Sequence, residues 1–440
     1  MKLKEKLKEK IENERERVNK LLKEYGDTKV GDITIAQVIG GMRGLKVLVT
    51  DSSHLDPFEG IRYRGYTVDE VLQKLPKPKG AEMPYDEAQF YLLMTGDIPT
   101  EQEVQEIIDL FKEKRKVPNY VYKVLDSMPT QARPDVMLAV AVDTMQQESV
   151  FAKAYAENKI TKLNAWEYML EDVLNLLPKI PMIAAYIYRL KYKNNDQIPE
   201  NPDLDFGGNF AYMMGIDKPY DDFSRLYFIL LSDHESGNVS AHTTHLVASA
   251  WADAYYSLAA GINGLSGPLH GGATQEALKW FQELLQKLNK IPTKEELEQF
   301  CWDTLNSGQV IPGYGHAVLR KTDPRFVAQL EFGKKHLPDD KLFQLVSLLY
   351  EVAPDVLTKH GKAKNPWPNC DNITGTIQAH YGVGQYEFYP VLFDISRSMG
   401  VLSNITWDRA LGYPIERPKS VTLKMLESIA QKDTTAKVWF

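Results

Sequence analysis

The apolar residues of the first segment repeat with a helical period. Between residues 2 and 24, dense lysines and glutamates are interrupted at spacings of three, four and seven by Leu3, Leu7, Ile11, Val18, Leu21 and Leu22. This pattern predicts an amphipathic helix with a narrow apolar stripe. Such a helix would either lie on the body of the protein with a solvated outer face or act as a binding arm, and we favour the first interpretation.

Helical periodicity dominates from about residue 84 onward. The clearest case is residues 273–288, where one face carries Ala277, Leu278, Phe281, Leu284, Leu285 and Leu288. Thr100 and Glu103 form a capping box that predicts the start of another helix. Residues 135–145 are apolar nearly all round, which predicts a buried helix or a subunit contact. The other predicted helical segments are 164–177, 181–192, 222–233, 242–262, 294–305, 324–335, 339–352, 372–381, 388–408 and 419–431.

Strand signals are confined to one region. Residues 44–66 contain Val47, Val49 and Thr50, followed by turn formers around Pro57 and Gly60, and we predict short strands or hairpins there. These are too few for a parallel sheet of alternating strands and helices, and no fixed-period repeat is present. The predicted fold class is therefore mainly α.

Composition narrows the class of protein. The 440 residues are 43% apolar, which excludes a disordered chain, and a net charge of −7 disfavours nucleic acid as a partner. No apolar run approaches the length of a membrane helix. Two cysteines, Cys301 and Cys370, cannot form a disulfide framework, and the glutamate-rich first segment does not resemble a transit peptide. From these features we expect a cytoplasmic protein without a transit peptide.

Common catalytic motifs do not occur. There is no Gly-x-Gly-x-x-Gly before a helix, no Gly-Lys pair followed by Ser or Thr, no Cys-x-x-Cys and no closing glycine for a nucleophile elbow. The sequence therefore predicts an enzyme without a bound metal, cofactor or nucleotide-phosphate site of these kinds.

Histidines, carboxylates and hydroxyls concentrate between residues 231 and 245. This segment contains His234, His242 and His245. At a spacing of three, His242 and His245 share a helix face and can bond neighbouring carbonyls or carboxylates. A zinc pair at this spacing is the alternative, and it needs further ligands from elsewhere in the chain.

Two more histidines lie among glycines. His270 precedes the helix predicted over 273–288, so a neutral imidazole that donates to a carbonyl is expected at the positive helix end. His316 lies in an irregular Pro-Gly-Tyr-Gly-His loop followed by Arg320, Lys321 and Arg325, which suits an anionic ligand. For both, an ordinary structural or solvated residue is the alternative.

The remaining candidate site residues are acidic and basic residues in the C-terminal part of the chain. Prolines and a tryptophan precede Asp371, and desolvation there would raise its pKa, whereas Lys362 and Lys364 would lower it if they were close. Arg397 lies within an apolar helix and Arg417 follows Pro414, and an arginine among apolar residues needs an anionic partner.

Together these segments resemble the citrate synthase family, in the group that includes the mitochondrial and some bacterial enzymes. The stretches that carry the resemblance occur in family order: Gly40–Gly44, Leu55–Pro57, Gly60–Gly65, Asp233–His245, Asn263–Gly271, Asn306–Arg325, Gly361–Asp371, Val391–Gly400 and Ala410–Ser420. The family condenses acetyl-CoA with oxaloacetate and hydrolyses citryl-CoA.

The resemblance implies a role for each matching residue. Asp371 matches the base that takes the acetyl methyl proton, His270 the donor to the thioester oxygen, and His316 the donor to the oxaloacetate ketone. The implied oxaloacetate ligands are His234, Asn238, Arg325, Arg397 and, from the partner subunit, Arg417. The implied coenzyme A contacts are Arg43, Val310, Gly313, Tyr314, Arg320, Lys362, Lys364 and Asn369. Lys153 stands where an arginine phosphate ligand is expected, so it keeps the charge and loses the fork geometry.

The resemblance also implies an architecture. We expect a helical homodimer with shared sites, a large domain over 1–271 and 379–440, and a small domain over 272–378 that closes over the substrates about Gly271 and Gly272. The coenzyme A thioester is a substrate, so no cofactor is implied. The alternatives are a 2-methylcitrate synthase that uses propionyl-CoA, a zinc hydrolase that uses His234, His242 and His245, and a non-catalytic helical scaffold.

Overall fold

A computed structural model describes residues 2–431, and most of them are helical. The α-helices in the first half of this range are α1 (Lys2–Tyr25), α2 (Ile35–Ile39), α3 (Val68–Lys74), α4 (Asp86–Thr95), α5 (Glu101–Lys114), α6 (Asn119–Ser127), α7 (Pro134–Thr144), α8 (Val150–Ala156), α9 (Ala165–Leu176), α10 (Ile180–Tyr192) and α11 (Phe206–Met214). Those in the second half are α12 (Tyr220–Leu231), α13 (Val239–Ser249), α14 (Ala254–Leu265), α15 (Pro268–Gly271), α16 (Ala273–Leu288), α17 (Lys294–Asn306), α18 (Pro324–His336), α19 (Lys341–His360), α20 (Asp371–His380), α21 (Tyr389–Leu411) and α22 (Leu423–Ala430). Short 3₁₀ helices cover Met145–Glu148, Leu177–Lys179 and Tyr386–Phe388.

The strands form one small antiparallel sheet within the described residues. Its order is β1 (Ser53–Asp56), β2 (Gly60–Tyr63) and β3 (Tyr66–Thr67), with Ser53 opposite Tyr63 and Arg62 opposite Thr67. The Asp56 carboxylate accepts two backbone N–H groups in the turn between β1 and β2. The mainly α class and the few short strands are confirmed, although the predicted strand residues Val47 to Thr50 lie outside the sheet.

The predicted amphipathic helices begin and end close to their expected bounds. Helix α16 covers residues 273–288, and the capping box of α5 has both of its hydrogen bonds. In α1, however, only Leu3, Leu7 and Ile11 are buried, whereas Leu21 is 59% exposed and Leu22 is 64% exposed. The apolar stripe therefore packs on the body over its first half alone.

Two segments differ from the predicted bounds for local reasons. Residues 242–262 form α13 and α14 instead of one helix, because Trp251 has a φ of 66° and the Asp253 side chain caps a new helix. The segment predicted to end at residue 352 continues as α19 through Pro354 and ends at His360, where the following Gly361 has the left-handed conformation.

The core is organised around α21. This helix is buried along nearly its whole length and packs against α4, α9, α12, α13 and α14. Helices α16 to α20 pack on one another, and they lie within the range 272–378 assigned to the predicted small domain except for the last two residues of α20. The domain bounds themselves stay a prediction, and Met1 and residues 432–440 of the predicted large domain lie outside the described residues. Within residues 2–431, no helix is both long and apolar enough to span a bilayer.

Candidate active site

His270 is held at the N-terminus of α13. Its Nε2 accepts the backbone N–H of Ser240 at 3.3 Å and lies 3.0 Å from the Ser240 hydroxyl. Because Nε2 is an acceptor, we assign the ring proton to Nδ1, which is then available to donate to a ligand. Burial, followed by the charge of Arg397, lowers the pKa of His270 to about 4. The imidazole is thus neutral, as predicted, and the helix end that contacts it is that of α13 rather than α16.

His316 has the opposite arrangement of its ring nitrogens. Its Nδ1 accepts the backbone N–H groups of Val318 at 3.0 Å and Leu319 at 3.1 Å, so the proton is assigned to Nε2. Burial and then the charge of Arg325 lower its pKa. His316 is therefore a neutral donor, and the centre of its ring lies 6.4 Å from that of His234.

Asn238 positions the segment that carries His234. The Asn238 side chain caps α13 by accepting the N–H of Ala241 at 3.1 Å, and its amide donates to the His234 carbonyl at 2.6 Å. Burial, followed by the charges of Arg325 and Arg397, lowers the pKa of His234 well below its usual range. His234 is consequently a neutral ring beside two arginines.

Arg325 is fixed by a carboxylate two residues before it. Asp323 caps α18, is fully buried, and pairs with the Arg325 guanidinium through contacts of 2.8 and 3.0 Å. The same carboxylate accepts the N–H of Cys370 at 3.4 Å. Asp323 thereby connects Arg325 to the backbone directly before Asp371.

Arg397 is a buried arginine that forms no ion pair with any residue from 2 to 431. It lies on α21, is 3% exposed, and donates to the Leu231 carbonyl at 3.2 Å and the Asn238 side-chain oxygen at 3.3 Å. Its guanidinium carbon lies 4.8 Å from the centre of the Phe393 ring. Burial and the charge of Arg325 lower its pKa, although Asp233 opposes this. A buried arginine without an ion pair favours an anionic ligand.

Asp371 begins α20. Its Oδ1 accepts the Thr274 hydroxyl of α16 at 2.7 Å, and its backbone N–H donates to the Asn369 side chain at 3.0 Å. Burial raises the pKa of Asp371, and the Thr274 hydrogen bond and the charge of Arg325 oppose this rise. Desolvation therefore outweighs the Thr274 hydrogen bond and the charge of Arg325.

Two loops meet in front of α20. The Gly315 N–H donates to the Trp367 carbonyl at 3.1 Å, and the Asn369 N–H donates to the Gly313 carbonyl at 2.9 Å. The Asn369 side chain also donates to the Gly315 carbonyl at 3.1 Å. The structure thus brings together three of the residues predicted to contact coenzyme A, namely Gly313, Tyr314 and Asn369, whereas Val310 is exposed.

The basic residues predicted for the coenzyme A cleft are all exposed. Arg320 donates to carbonyls of its own loop, whereas Lys362 and Lys364 have no ion pair within the described part of the chain. Arg43, Lys153 and Arg417 are exposed as well, and the structure does not place them against the histidines and buried arginines described above. Their predicted roles in binding phosphate or the partner's substrate stay predictions.

The two histidines on α13 have structural partners. His245 lies 2.5 Å from the Asp408 carboxylate and 3.1 Å from the Ser236 hydroxyl, and His242 lies 3.0 Å from Glu416. This confirms the hydrogen-bonded interpretation. No group of three or more potential metal ligands occurs among residues 2–431, so the zinc alternative gains no support there.

Sequence reasoning missed the residues that hold the candidate groups. Ser240, Asp323 and Thr274 position His270, Arg325 and Asp371 respectively. The capping role of Asp323 could have been predicted, because an aspartate directly before a proline is typical of a helix N-cap. Ser240 and Thr274 are distant in sequence from His270 and Asp371, and no local pattern indicates these contacts.

Comparison with solved structures and curated relatives finds similar proteins along nearly the whole chain. A crystal structure of citrate synthase from Pyrobaculum aerophilum is similar with a TM-score of 0.75 and 26% identity, covering 90% of this chain and 95% of that chain. Citrate synthase 4 of Arabidopsis thaliana is 49% identical over 99% of this chain and 92% of its own length. Citrate synthase of Saccharomyces cerevisiae is 49% identical over 98% and 90%. None of these names supports the 2-methylcitrate synthase alternative.

The relatives overturn the predicted cytoplasmic location. The Arabidopsis thaliana and Saccharomyces cerevisiae enzymes are both named as mitochondrial. The prediction rested on the acidic composition of the first segment, which in the structure is the helix α1 that packs its first half on the body. That composition reflects the packing of a surface helix and carries no information about the compartment.

A family model described as the C-terminal domain of citrate synthase matches residues 41–419. This match covers the loops, histidines and buried arginines described above. The non-catalytic scaffold is therefore excluded, and the chain belongs to the citrate synthase family of acyltransferases.

Proposed function

We propose that this enzyme condenses acetyl-CoA with oxaloacetate at the site formed by His234, His270, His316, Asp371 and the two buried arginines. The observation that carries the assignment is Arg397, a buried cation that forms no ion pair with the described residues and lies close enough to lower the pKa of His234 and His270. Together with Arg325 it provides two positive charges for the two carboxylates of oxaloacetate. Asn238, bonded to Arg397, completes that pocket.

The proposed reaction gives Asp371, His270 and His316 one role each. Asp371 removes a proton from the acetyl methyl while the His270 Nδ1–H donates to the thioester oxygen, which gives an enol. The enol carbon attacks the ketone carbon of oxaloacetate, and the enol proton returns to His270 Nδ1 as the thioester carbonyl reforms. The His316 Nε2–H donates to the ketone oxygen as negative charge develops there, and this oxygen takes up the proton that Asp371 removed and becomes the hydroxyl of citryl-CoA. Water then attacks the thioester of citryl-CoA and releases citrate and the thiol of coenzyme A. These steps use only side chains of the protein, so the proposal includes no cofactor.

The binding of coenzyme A is proposed for the paired loops 310–316 and 365–371. Backbone groups of Val310, Gly313 and Tyr314 would contact the adenine end, with Asn369 beside them, and the exposed cations Arg320, Lys362 and Lys364 are suited to the phosphates. We further propose that the predicted small domain, 272–378, closes over both substrates.

A homodimer with shared sites is part of the same proposal. The segment from residue 30 to 49 exposes seven large apolar side chains: Val30, Ile33, Val38, Ile39, Met42, Val47 and Val49. Exposed apolar side chains at this density favour contact with another chain. Arg43 lies within this segment and Arg417 is equally exposed, so each could reach the site of a partner subunit.

The test is release of free thiol from acetyl-CoA, followed with a thiol reagent. Release should depend on oxaloacetate and should be accompanied by stoichiometric citrate. Propionyl-CoA is the matched comparison, and kcat/KM should be clearly lower for it. Thiol release that is independent of oxaloacetate would contradict the proposal.

A further inference from the structure

Thr274 contacts the candidate base from a neighbouring helix. It lies in the first turn of α16, and its hydroxyl donates to Asp371 Oδ1 at 2.7 Å. No other side chain within residues 2–431 donates a hydrogen bond to this carboxylate.

The geometry of Thr274 is set by the close packing of α16 on α20. Gly375 lies one turn after Asp371, and a Cβ added there would lie 3.2 Å from Thr274 Cγ2 and 3.1 Å from Leu278 Cβ. The Thr274 methyl group therefore packs on Gly375 while its hydroxyl meets Asp371. A β-branched side chain in a helix has few allowed rotamers, so these two contacts fix the direction of the hydroxyl.

We propose that Thr274 is a positioning residue that holds Asp371 Oδ1 and leaves Oδ2 to take the proton from the substrate. The backbone of Asp371 is already fixed by its N–H bond to the Asn369 side chain. The hydrogen bond from the Thr274 hydroxyl additionally fixes the orientation of the Asp371 carboxylate plane. This inference rests on the proposed role of Asp371 as the base.

The same hydrogen bond favours the ionised carboxylate. Burial raises the pKa of Asp371, and the bond from Thr274 is the largest effect that opposes it. The other charged and titratable groups that face Asp371 are Arg325, Arg397, Asp323, Cys370 and Tyr227. Replacing Thr274 leaves all of them unchanged. Loss of the hydroxyl should therefore raise the pKa of Asp371 and protonate it at a higher pH.

Two substitutions separate the hydroxyl from the packing. Thr274→Val keeps the branched shape without the donor, and Thr274→Ser keeps the donor without the methyl group. We expect Thr274→Val to lower kcat about tenfold and to move the acidic limb of kcat/KM up by about one pH unit. The primary isotope effect with trideuterated acetyl-CoA should increase because proton removal becomes slower. Thr274→Ser should stay close to wild type in all three measurements, and the KM for oxaloacetate should be unchanged in both.

The outcomes separate this inference from the proposed function. If Asp371→Asn is inactive while Thr274→Val has a wild-type pH profile and isotope effect, the positioning role alone is overturned. Equal impairment of Thr274→Ser and Thr274→Val would also overturn it, because the methyl group would then be responsible. Activity retained in Asp371→Asn would instead contradict the proposed function. If Thr274→Val does not fold, as judged by its thermal midpoint, Thr274→Ala compared with Thr274→Ser provides the same test.

Discussion

The Asp371 carboxylate can be replaced by an amide with little change of shape. In Asp371→Asn the amide oxygen can still accept the Thr274 hydroxyl, but the side chain cannot take a proton from the acetyl methyl. We expect turnover to fall by about 10²–10⁴-fold while oxaloacetate still binds. Thiol release and calorimetric titration of oxaloacetate measure the two effects separately. Turnover near wild type would remove Asp371 from the mechanism.

A second residue, His245, connects stability to pH. Burial disfavours its imidazolium, but the charge and hydrogen bond of Asp408 overcome this and raise the pKa of His245 above its usual value. In the unfolded chain the pKa of a histidine is about 6.5, and in the folded protein the pKa of His245 is higher. The interaction with Asp408 therefore stabilises the fold fully below the unfolded pKa, and this stabilisation is lost as the pH rises through the folded pKa. We therefore expect the wild-type thermal midpoint to fall over that interval.

Asp408→Asn tests the origin of this pH dependence. The variant keeps an oxygen near His245 but loses the charge that stabilises the imidazolium. Its thermal midpoint should depend less steeply on pH than that of wild type, at equal protein concentration and scan rate. Identical slopes would show that another group is responsible.

Among single residues, candidate reacting groups could be predicted from the sequence, whereas the residues that hold them in place could not. His270, His316 and Asp371 could be singled out because glycines and prolines surround them. Ser240 and Thr274 could not, because each contacts its partner across a long sequence separation that only the packing of α13, α15, α16 and α20 creates. Local sequence carries information about capping and turns and little about such distant contacts.

Among the elements, the loop at Gly313 has little steric freedom. Gly313 has a φ of 73°, and a Cβ there would lie 2.6 Å from the Asn372 Cα. Gly308 has a similar φ of 83° but nothing within 4 Å, so Gly308→Ala carries the backbone strain without the clash. Strain alone costs about 1 kcal/mol.

Gly313→Ala should therefore be the more damaging of the pair. The displaced loop would lose the bond between the Asn372 amide and the Pro312 carbonyl and would shift the proposed coenzyme A contacts. We expect KM for acetyl-CoA to rise by about tenfold or more with a smaller effect on KM for oxaloacetate. Gly308→Ala should change neither, and equal effects of the two substitutions would contradict the argument.

Element prediction succeeded where periodicity and caps agreed. Helix α16 and the capping box of α5 were predicted with nearly their observed bounds. Prediction failed at α13 and α14, because the break depends on the left-handed conformation of Trp251, a residue with no local preference for it. It also ended α19 too early, since Pro354 is tolerated inside that helix.

For the whole molecule, the shared site can be tested by mixing chains. If Arg417 acts in the partner's site, a dimer of one Arg417→Ala chain and one Arg397→Ala chain contains one site without either lesion. Each homodimer should be nearly inactive, and a random mixture should recover about a quarter of wild-type activity. Absence of recovery in verified heterodimers would contradict a shared site.

The whole-molecule predictions had mixed outcomes. The mainly α fold and the family followed from motifs distributed along the chain, and both are confirmed. The predicted cytoplasmic location is wrong, because the relatives are named as mitochondrial. The acidic composition of α1, on which that prediction rested, follows from the packing of a surface helix. The dimer and the domain bounds depend on contacts between chains and on motion, neither of which the apolar pattern of one chain specifies.

The positions of Arg325, Arg397 and His316 have a consequence for handedness. In the proposed complex, oxaloacetate is a flat ketone attached at three points: one carboxylate at Arg325, one at Arg397 and the carbonyl oxygen at His316. A planar carbonyl held in this way presents only one of its two enantiotopic faces to the enol. The two –CH₂COO⁻ arms of citrate are therefore made inequivalent by the protein, and carbon that enters as acetyl occupies one defined arm of a product that is itself achiral.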